Sequence, residues 1–194
     1  PEREELVETI QEEAERLSRF VANLLDMTKI ESGTIELDRQ LVDAGEMVGA
    51  ALQRVSSMTA AHRVEVDLEA GLPMLKLDVM LFEQVLVNLL DNAAKYAPPG
   101  SEILIRARRA PSTISIEVLD EGAGIPEDRL ERIFEKFHRV KQGDRQRAGT
   151  GLGLAICRGF VEALGGKIVA ANRSDRQGAI FTITFPYLEP GMAG

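Results

Sequence analysis

The segment from Asp78 to Gly100 constrains the fold more than any other part of the chain. Asp78 is an N-cap residue, Val79 to about Tyr96 is strongly apolar at helical spacing, and Pro98-Pro99-Gly100 ends the run. The spacing predicts one long buried helix with Leu86, Leu89, Leu90 and Ala93 on its inner side. Asn88, Asn92 and Lys95 fall three or four residues apart and so share the opposite face. Asparagine is a poor residue for a helix interior, so two of them need a reason. Two carboxamides and an ammonium on one face offer oxygen ligands to a hard cation and a positive point to phosphate. An ordinary amphipathic helix with a polar outer face is the alternative.

Around that helix the pattern alternates between strand and helix. Glu102–Arg109 and Thr113–Asp120 read as strands joined by a turn at Pro111-Ser112, and Arg63–Leu68 as another. Thr34–Leu37 and Met74–Leu77 read as short extended pieces, Ala44 to about Ala60 as a helix capped by Asp43, and Glu127–Phe134 as a short helix. Leu152–Leu164 is a helix ended by Gly165-Gly166, and Lys167–Ala171 with Ala179–Phe185 closes the sheet. Strands adjoining in hairpins, with helices interspersed, imply an α+β sandwich: a mixed sheet covered by helices on one face. Ahead of this lies residue 1 to about 31, a helix ended by Ser32-Gly33. Its residues Leu6, Ile10, Leu17, Phe20, Val21, Leu24 and Met27 fall near a seven-residue repeat, which predicts a stripe that needs a partner. Residues 138–150 are polar and aperiodic and read as a mobile loop, and 188–194 as a flexible tail.

Two further constellations carry chemistry. Asp120-Glu-Gly122-Ala-Gly124-Ile125 places a carboxylate at a strand end before a glycine turn. Such a carboxylate accepts from an exocyclic amine such as that of adenine, unless this is a plain Asp-x-Gly turn. Gly149-Thr150-Gly151-Leu152-Gly153-Leu154 leads into a helix, where backbone N–H groups and the helix terminus favour an anion. It follows no strand of a βαβ unit, which makes a Rossmann reading poor, and the chain has no P-loop. Between the two lies a basic stretch, Lys136, His138, Arg139, Lys141, Arg145 and Arg147, either a solvated charge run or an anion-facing loop. In this order the segments can hold adenine, triphosphate and Mg²⁺.

Charge and composition remove other classes. A net charge of −8 argues against nucleic-acid binding. One cysteine, Cys157, precludes an internal disulfide and suits a reducing cytoplasm. No apolar run spans a membrane, so any membrane link would run through segments outside this sequence. The absence of an initiator Met reads as a piece of a longer protein.

These segments resemble the N, G1, F and G2 boxes of the histidine kinase ATP-binding domain, a relative of DNA gyrase, Hsp90 and MutL with the Bergerat fold. Asn88–Tyr96 is similar to the N box, Asp120–Ile125 to G1, Phe134–Arg139 to F and Gly149–Leu154 to G2. Arg147–Asn172 is similar to the KdpD type, the osmosensitive potassium-responsive kinases. The helix Glu12–Gly33, with its segment Arg16–Gly33, resembles the second helix of the dimerisation and phosphotransfer hairpin. The resemblance implies domains at 1–33 and 34–187 and Mg²⁺ on Asn92, with Asn88 assisting directly or through water. It further implies Lys95, Tyr96 and Arg139 near phosphate, and Asp120, Gly122, Gly124 and Ile125 at adenine. Gly149, Thr150, Gly151, Leu152, Gly153 and Leu154 would form the lid hinge and phosphate contact. Implied partners are a second copy, through the N-terminal helix region, and a response regulator. The family's phosphate-accepting histidine segment is missing, and His62 and His138 are not placed to replace it. His62 is expected to cap a helix end or face solvent. The chain also has Ala179-Ile180 before Phe181, where many members carry Ser or Thr, so a hydroxyl contact near adenine is not expected.

Overall fold

Residues 2–137 and 151–187 are described by the computed structural model. The chain opens with α1 (Glu2–Ser32), β1 (Arg39–Val42) and α2 (Ala44–Arg54). Next come β2 (Arg63–Leu68), β3 (Leu75–Asp78), α3 (Val79–Tyr96), β4 (Glu102–Arg109) and β5 (Thr113–Leu119). It ends with α4 (Gly153–Ala163), β6 (Lys167–Asn172) and β7 (Ala179–Pro186). Five strands form one sheet in the order β2-β4-β5-β7-β6, with β2 parallel to β4 and the other neighbours antiparallel. β1 and β3 make a separate antiparallel pair.

Period-two alternation in the strands produces one buried sheet face. Ile103, Ile105 and Ala107 of β4, Ile114, Ile116 and Val118 of β5, and Phe181, Ile183 and Phe185 of β7 all point into the core. The apolar sides of α3 and α4 cover that face, with Phe82 meeting Phe185 edge-to-face at 5.4 Å. The mixed sheet with its layer of helices is the architecture expected from the sequence.

Asp78 fixes the start of α3 twice over. Its Oδ1 accepts from Leu81 N at 3.1 Å, and its Oδ2 accepts from Asp38 N at 2.9 Å. Asp43 caps α2 through the N–H groups of Gly45 and Glu46. Gly33, at φ +63°, ends α1 in the left-handed region.

Three elements differ from expectation. The strand placed at Thr34–Leu37 lies instead at Arg39–Val42, because only there does the chain meet an antiparallel partner in β3; Ile35 and Leu37 still pack on the core. Helix α2 stops at Arg54, and turns at Met58, Thr59 and His62 replace the expected last turns. There the Thr59 hydroxyl donates to Val55 O, the competition for backbone groups that shortens helices at Ser and Thr. Glu127–Phe134 forms two 3-10 turns, Glu127–Arg129 and Arg132–Phe134, rather than one helix.

Helix α1 divides into a docked end and a free stripe. Met27 is buried, Ile30 packs on the core, Asp26 accepts from Gln84 of α3 at 2.7 Å, and Glu31 pairs with Lys136. A Cβ built on Gly159 of α4 would stand 2.7 Å from Ile30, so the two helices touch at a glycine. Leu6, Ile10, Leu17 and Val21 remain exposed. The expected stripe therefore ends on the chain's own domain while its N-terminal part is uncovered.

Candidate nucleotide site

The central strand β5 runs out at Leu119 and places Asp120 just past its C-terminal end. Asp120 is 4 % exposed. Its Oδ1 accepts from Gly122 N at 2.7 Å and from Ala179 N at 3.2 Å. Burial pushes its carboxyl above the usual aspartate value, and the two amides and the Arg173 charge only partly offset this. The remaining oxygen accepts no hydrogen bond among the described residues and is not fully buried, so it is open to a donor. The main chain of Asp120 is held as firmly. Its N–H donates to Ala179 O at 3.0 Å, and its carbonyl accepts from Arg173 Nη1 at 3.3 Å.

The glycine turn brings this carboxylate to α3. A Cβ on Gly122 would stand 2.9 Å from the Tyr96 carbonyl and 2.9 Å from Asp120 Oδ1. Gly122 thus lies against the C-terminal end of α3, one turn beyond Asn92. Gly124 has φ +78°, and its Cβ would meet Asn172 Oδ1 at 2.8 Å. That oxygen accepts from Ile125 N at 2.7 Å, while Asn172 Nδ2 donates to Ile125 O at 2.7 Å. Nothing in the sequence reading singled out Asn172, which stands at a strand end before a polar turn and carries no motif of its own.

On α3 the polar face is less uniform than its spacing implied. Asn88 Nδ2 is buried with no conventional partner and lies beside the Cys157 thiol of α4, a weak acceptor. Cys157 itself donates to Val85 O at 3.8 Å. The Asn88 nitrogen is thus turned into protein, toward α4. No cluster of three His, Cys, Asp or Glu side chains able to hold a metal occurs among the described residues. Carboxamide oxygens are hard donors that suit an ion retaining water and phosphate ligands, as Mg²⁺ does. Lys95 forms an ion pair with Asp91, one helical turn earlier, a partner that the (i, i+4) spacing makes legible. Tyr96 is exposed.

Helix α4 closes the third side. Gly151 has φ +71°, and Leu152, at the N-cap position, is fully buried and makes no side-chain cap hydrogen bond. The Leu152 side chain is directed into the core, and Leu154 packs against it. A Cβ on Gly153 would meet no atom of the described residues within 4 Å. Gly151 O accepts from Phe137 N at 2.9 Å, which ties the F-box end to the glycine segment. Arg139, Gly149 and Thr150, with His138 and the rest of 138–150, lie outside the described residues. His62 does not face solvent freely: its Nε2 sits 3.1 Å from Ala94 O of α3 and its Nδ1 3.4 Å from Ser101 Oγ.

Comparison with known proteins identifies the family. Residues 77–189 match the family model described as histidine kinase-, DNA gyrase B-, and HSP90-like ATPase. The chain is 41 % identical over 186 residues to the sensor protein KdpD of Clostridium acetobutylicum, covering 95 % of this chain and 20 % of that protein. It is 41 % identical over 171 residues to KdpD of Escherichia coli, covering 87 % and 19 %. Among solved structures, full-length ShkA in complex with AMPPNP superposes with a TM-score of 0.81 at 26 % identity, over 95 % of this chain and 38 % of that one. The chain spans about a fifth of the length of the KdpD relatives. With a family model covering more than half its length and the mixed sheet and helix layer to match, the chain belongs to the histidine kinase, DNA gyrase B and HSP90-like ATPase family, as a catalytic module of the histidine-kinase type similar to that of the KdpD sensors.

Proposed function

We propose that this module binds ATP with Mg²⁺ between α3, the Asp120 turn and the start of α4, and presents the γ-phosphate to a histidine on a hairpin helix outside this sequence. The observation that carries the reading is the buried Asp120 carboxylate, fixed by two backbone amides beside the Asn-bearing end of α3. In this reading Asp120 takes the adenine amine, and the closeness of Gly122 to Tyr96 O lets the base approach. Asn92 holds the cation, and Asn88 assists it directly or through water. A bound Mg²⁺ would neutralise charge on the transferring phosphoryl group. Lys95 would leave Asp91 to meet phosphate, Arg139 would reach phosphate from the 138–150 segment, and the first turn of α4 would supply N–H donors. An amide at Asn88 cannot serve as a general base toward water, which favours transfer to a side chain over hydrolysis. ShkA, solved with AMPPNP, supports the ligand class. Onward transfer to a response regulator, pairing of two copies through α1, and the division into 1–33 and 34–187 belong to the same proposal. No helix among the described residues is long and apolar enough to cross a membrane.

Calorimetry with Mg²⁺ and a non-hydrolysable ATP analogue tests this. We expect heat of binding that Asn92→Ala abolishes and that Asp120→Ala weakens by about tenfold or more. With labelled ATP the chain alone should gain no acid-labile phosphate, and adding a separate acceptor hairpin should produce label on the hairpin. No analogue binding, or steady phosphate release by the chain alone, would reject the assignment.

A further inference from the structure

The turn from Asp120 to Ile125 is anchored at both ends by the hairpin joining β6 to β7. At its start, Arg173, with a side chain only 3 % exposed, donates to Asp120 O, and Arg176 pairs with Glu121 at 2.8 Å. At its far end stands Asn172, the last residue of β6. Between the two ends lie Gly122 and Gly124, which give the backbone little stiffness of its own. Ile125 is held there by both polar groups of one side chain. Asn172 Oδ1 accepts its N–H and Asn172 Nδ2 donates to its C=O, each at 2.7 Å. This amide reproduces the pair of bonds of an antiparallel strand rung, as an extra rung set beside β6. Gly124 fits only because it lacks a Cβ, which would stand 2.8 Å from the same oxygen.

We propose that Asn172 is a positioning residue that sets nucleobase selectivity, by locking the glycine turn so that Asp120 meets the 6-amino group of adenine. The inference rests on the ATP-binding reading above. Asp120 discriminates between bases only while the turn holds its free oxygen and the base in register, since a hydrogen bond weakens steeply with misalignment. Asn172 touches neither base nor phosphate and acts through Ile125 and Gly124.

The test compares ADP with IDP, which replaces the 6-amino group by an oxygen and keeps the sugar and phosphates. Each is titrated calorimetrically in the presence of Mg²⁺. Wild type should prefer ADP, and Asp120→Ala should erase that preference. Asn172→Ala should weaken ADP by about tenfold, the scale of two lost hydrogen bonds, and IDP by less than about twofold. Asn172→Asp keeps the acceptor for Ile125 N–H and loses the donor, so its selectivity should fall between the two; it is the variant to read if Asn172→Ala does not fold. Equal loss of ADP and IDP affinity would mark Asn172 as a structural residue only and overturn the inference. So would an unchanged ADP/IDP ratio in both variants, with the Asp120→Ala result intact. Failure of wild type to bind ADP would overturn the ATP reading and this inference together.

Discussion

Replacing Asp120 by asparagine should move stability and nucleotide affinity in opposite directions. The carboxylate is 4 % exposed, and burial is the largest influence on its proton affinity, raising it above the value of 3.8 that it has when unfolded. A group whose folded pKa is raised binds protons more tightly in the native state. Stability therefore falls as pH rises through that interval and stays lower above it. Asparagine has the same shape, can still accept from Gly122 N and Ala179 N, and carries no charge to desolvate. The gain at pH 7 is on the order of 1 kcal/mol, a desolvation cost partly offset by two amide hydrogen bonds and by Arg173. That corresponds to a melting temperature higher by about 2–4 °C for a domain of this size. Below the unfolded value of 3.8 the two proteins should melt together. Binding should respond the other way. An amide nitrogen facing the adenine amine removes a charge-assisted hydrogen bond and sets donor against donor. The cost is about 1.5–3 kcal/mol, or roughly ten- to 150-fold in affinity. Thermal melts at pH 7 and pH 3.5 and calorimetric titration with ADP measure both. A lower melting temperature at pH 7 would show that burial does not dominate at Asp120, and unchanged ADP affinity would show that its free oxygen does not face the base.

Other expectations follow from packing and exposure. Gly159→Ala puts a methyl 2.7 Å from Ile30, so it should lower the melting temperature, at about 1–3 kcal/mol, and Ile30→Ala in the same chain should restore part of the loss. Burial pushes the Cys157 thiol up to about 12 from 9.0. It should therefore resist a thiol reagent at pH 8 until the chain is denatured, and stability should decline as pH climbs past 9; rapid labelling of the native chain would contradict the packing of α4 on α3. Light scattering should find the chain self-associating through Leu6, Ile10, Leu17 and Val21, and monomeric after removal of residues 1–22, which spares the docked end. A monomer at all concentrations before truncation would show that the stripe drives no assembly.

Much of the architecture was legible because local and global signals agree. Asp78, the apolar spacing of α3 and Pro98 bound the helix at the residues where it begins and ends, and the alternation of β4, β5 and β7 marks the inward face. The signals failed where partners outside the segment decide. Thr34–Leu37 has a strand's composition, yet the strand forms at Arg39–Val42 because β3 is there to pair with it. Asn88 falls on the polar face by counting, while α4 comes close enough to bury its nitrogen beside Cys157, a contact spanning some seventy positions that no periodicity carries. Asp120, Gly122 and Gly124 are legible by residue type as a carboxylate at a strand end before a glycine turn, although residue type alone leaves a plain Asp-x-Gly turn as the alternative. Asn172 is not legible, because its importance is entirely one of place. The ion pair of Lys95 with Asp91 was readable from the helix spacing and still easy to pass over beside the more conspicuous asparagines.

The order of strands across the sheet has a consequence for synthesis. β7 lies between β5 and β6, yet it leaves the ribosome after both. Until it emerges, β5 presents an open flank and β6 has no neighbour, while Asp120 lacks the amide of Ala179 and the hairpin that carries Arg173 and Arg176 cannot close. A nascent chain can thus build α3 and the β4–β5 ribbon early, but it becomes competent for nucleotide only when one late segment slides into the middle of the sheet. Stalling or cleavage just before residue 179 would leave most of the helical layer translated and the ligand pocket unmade.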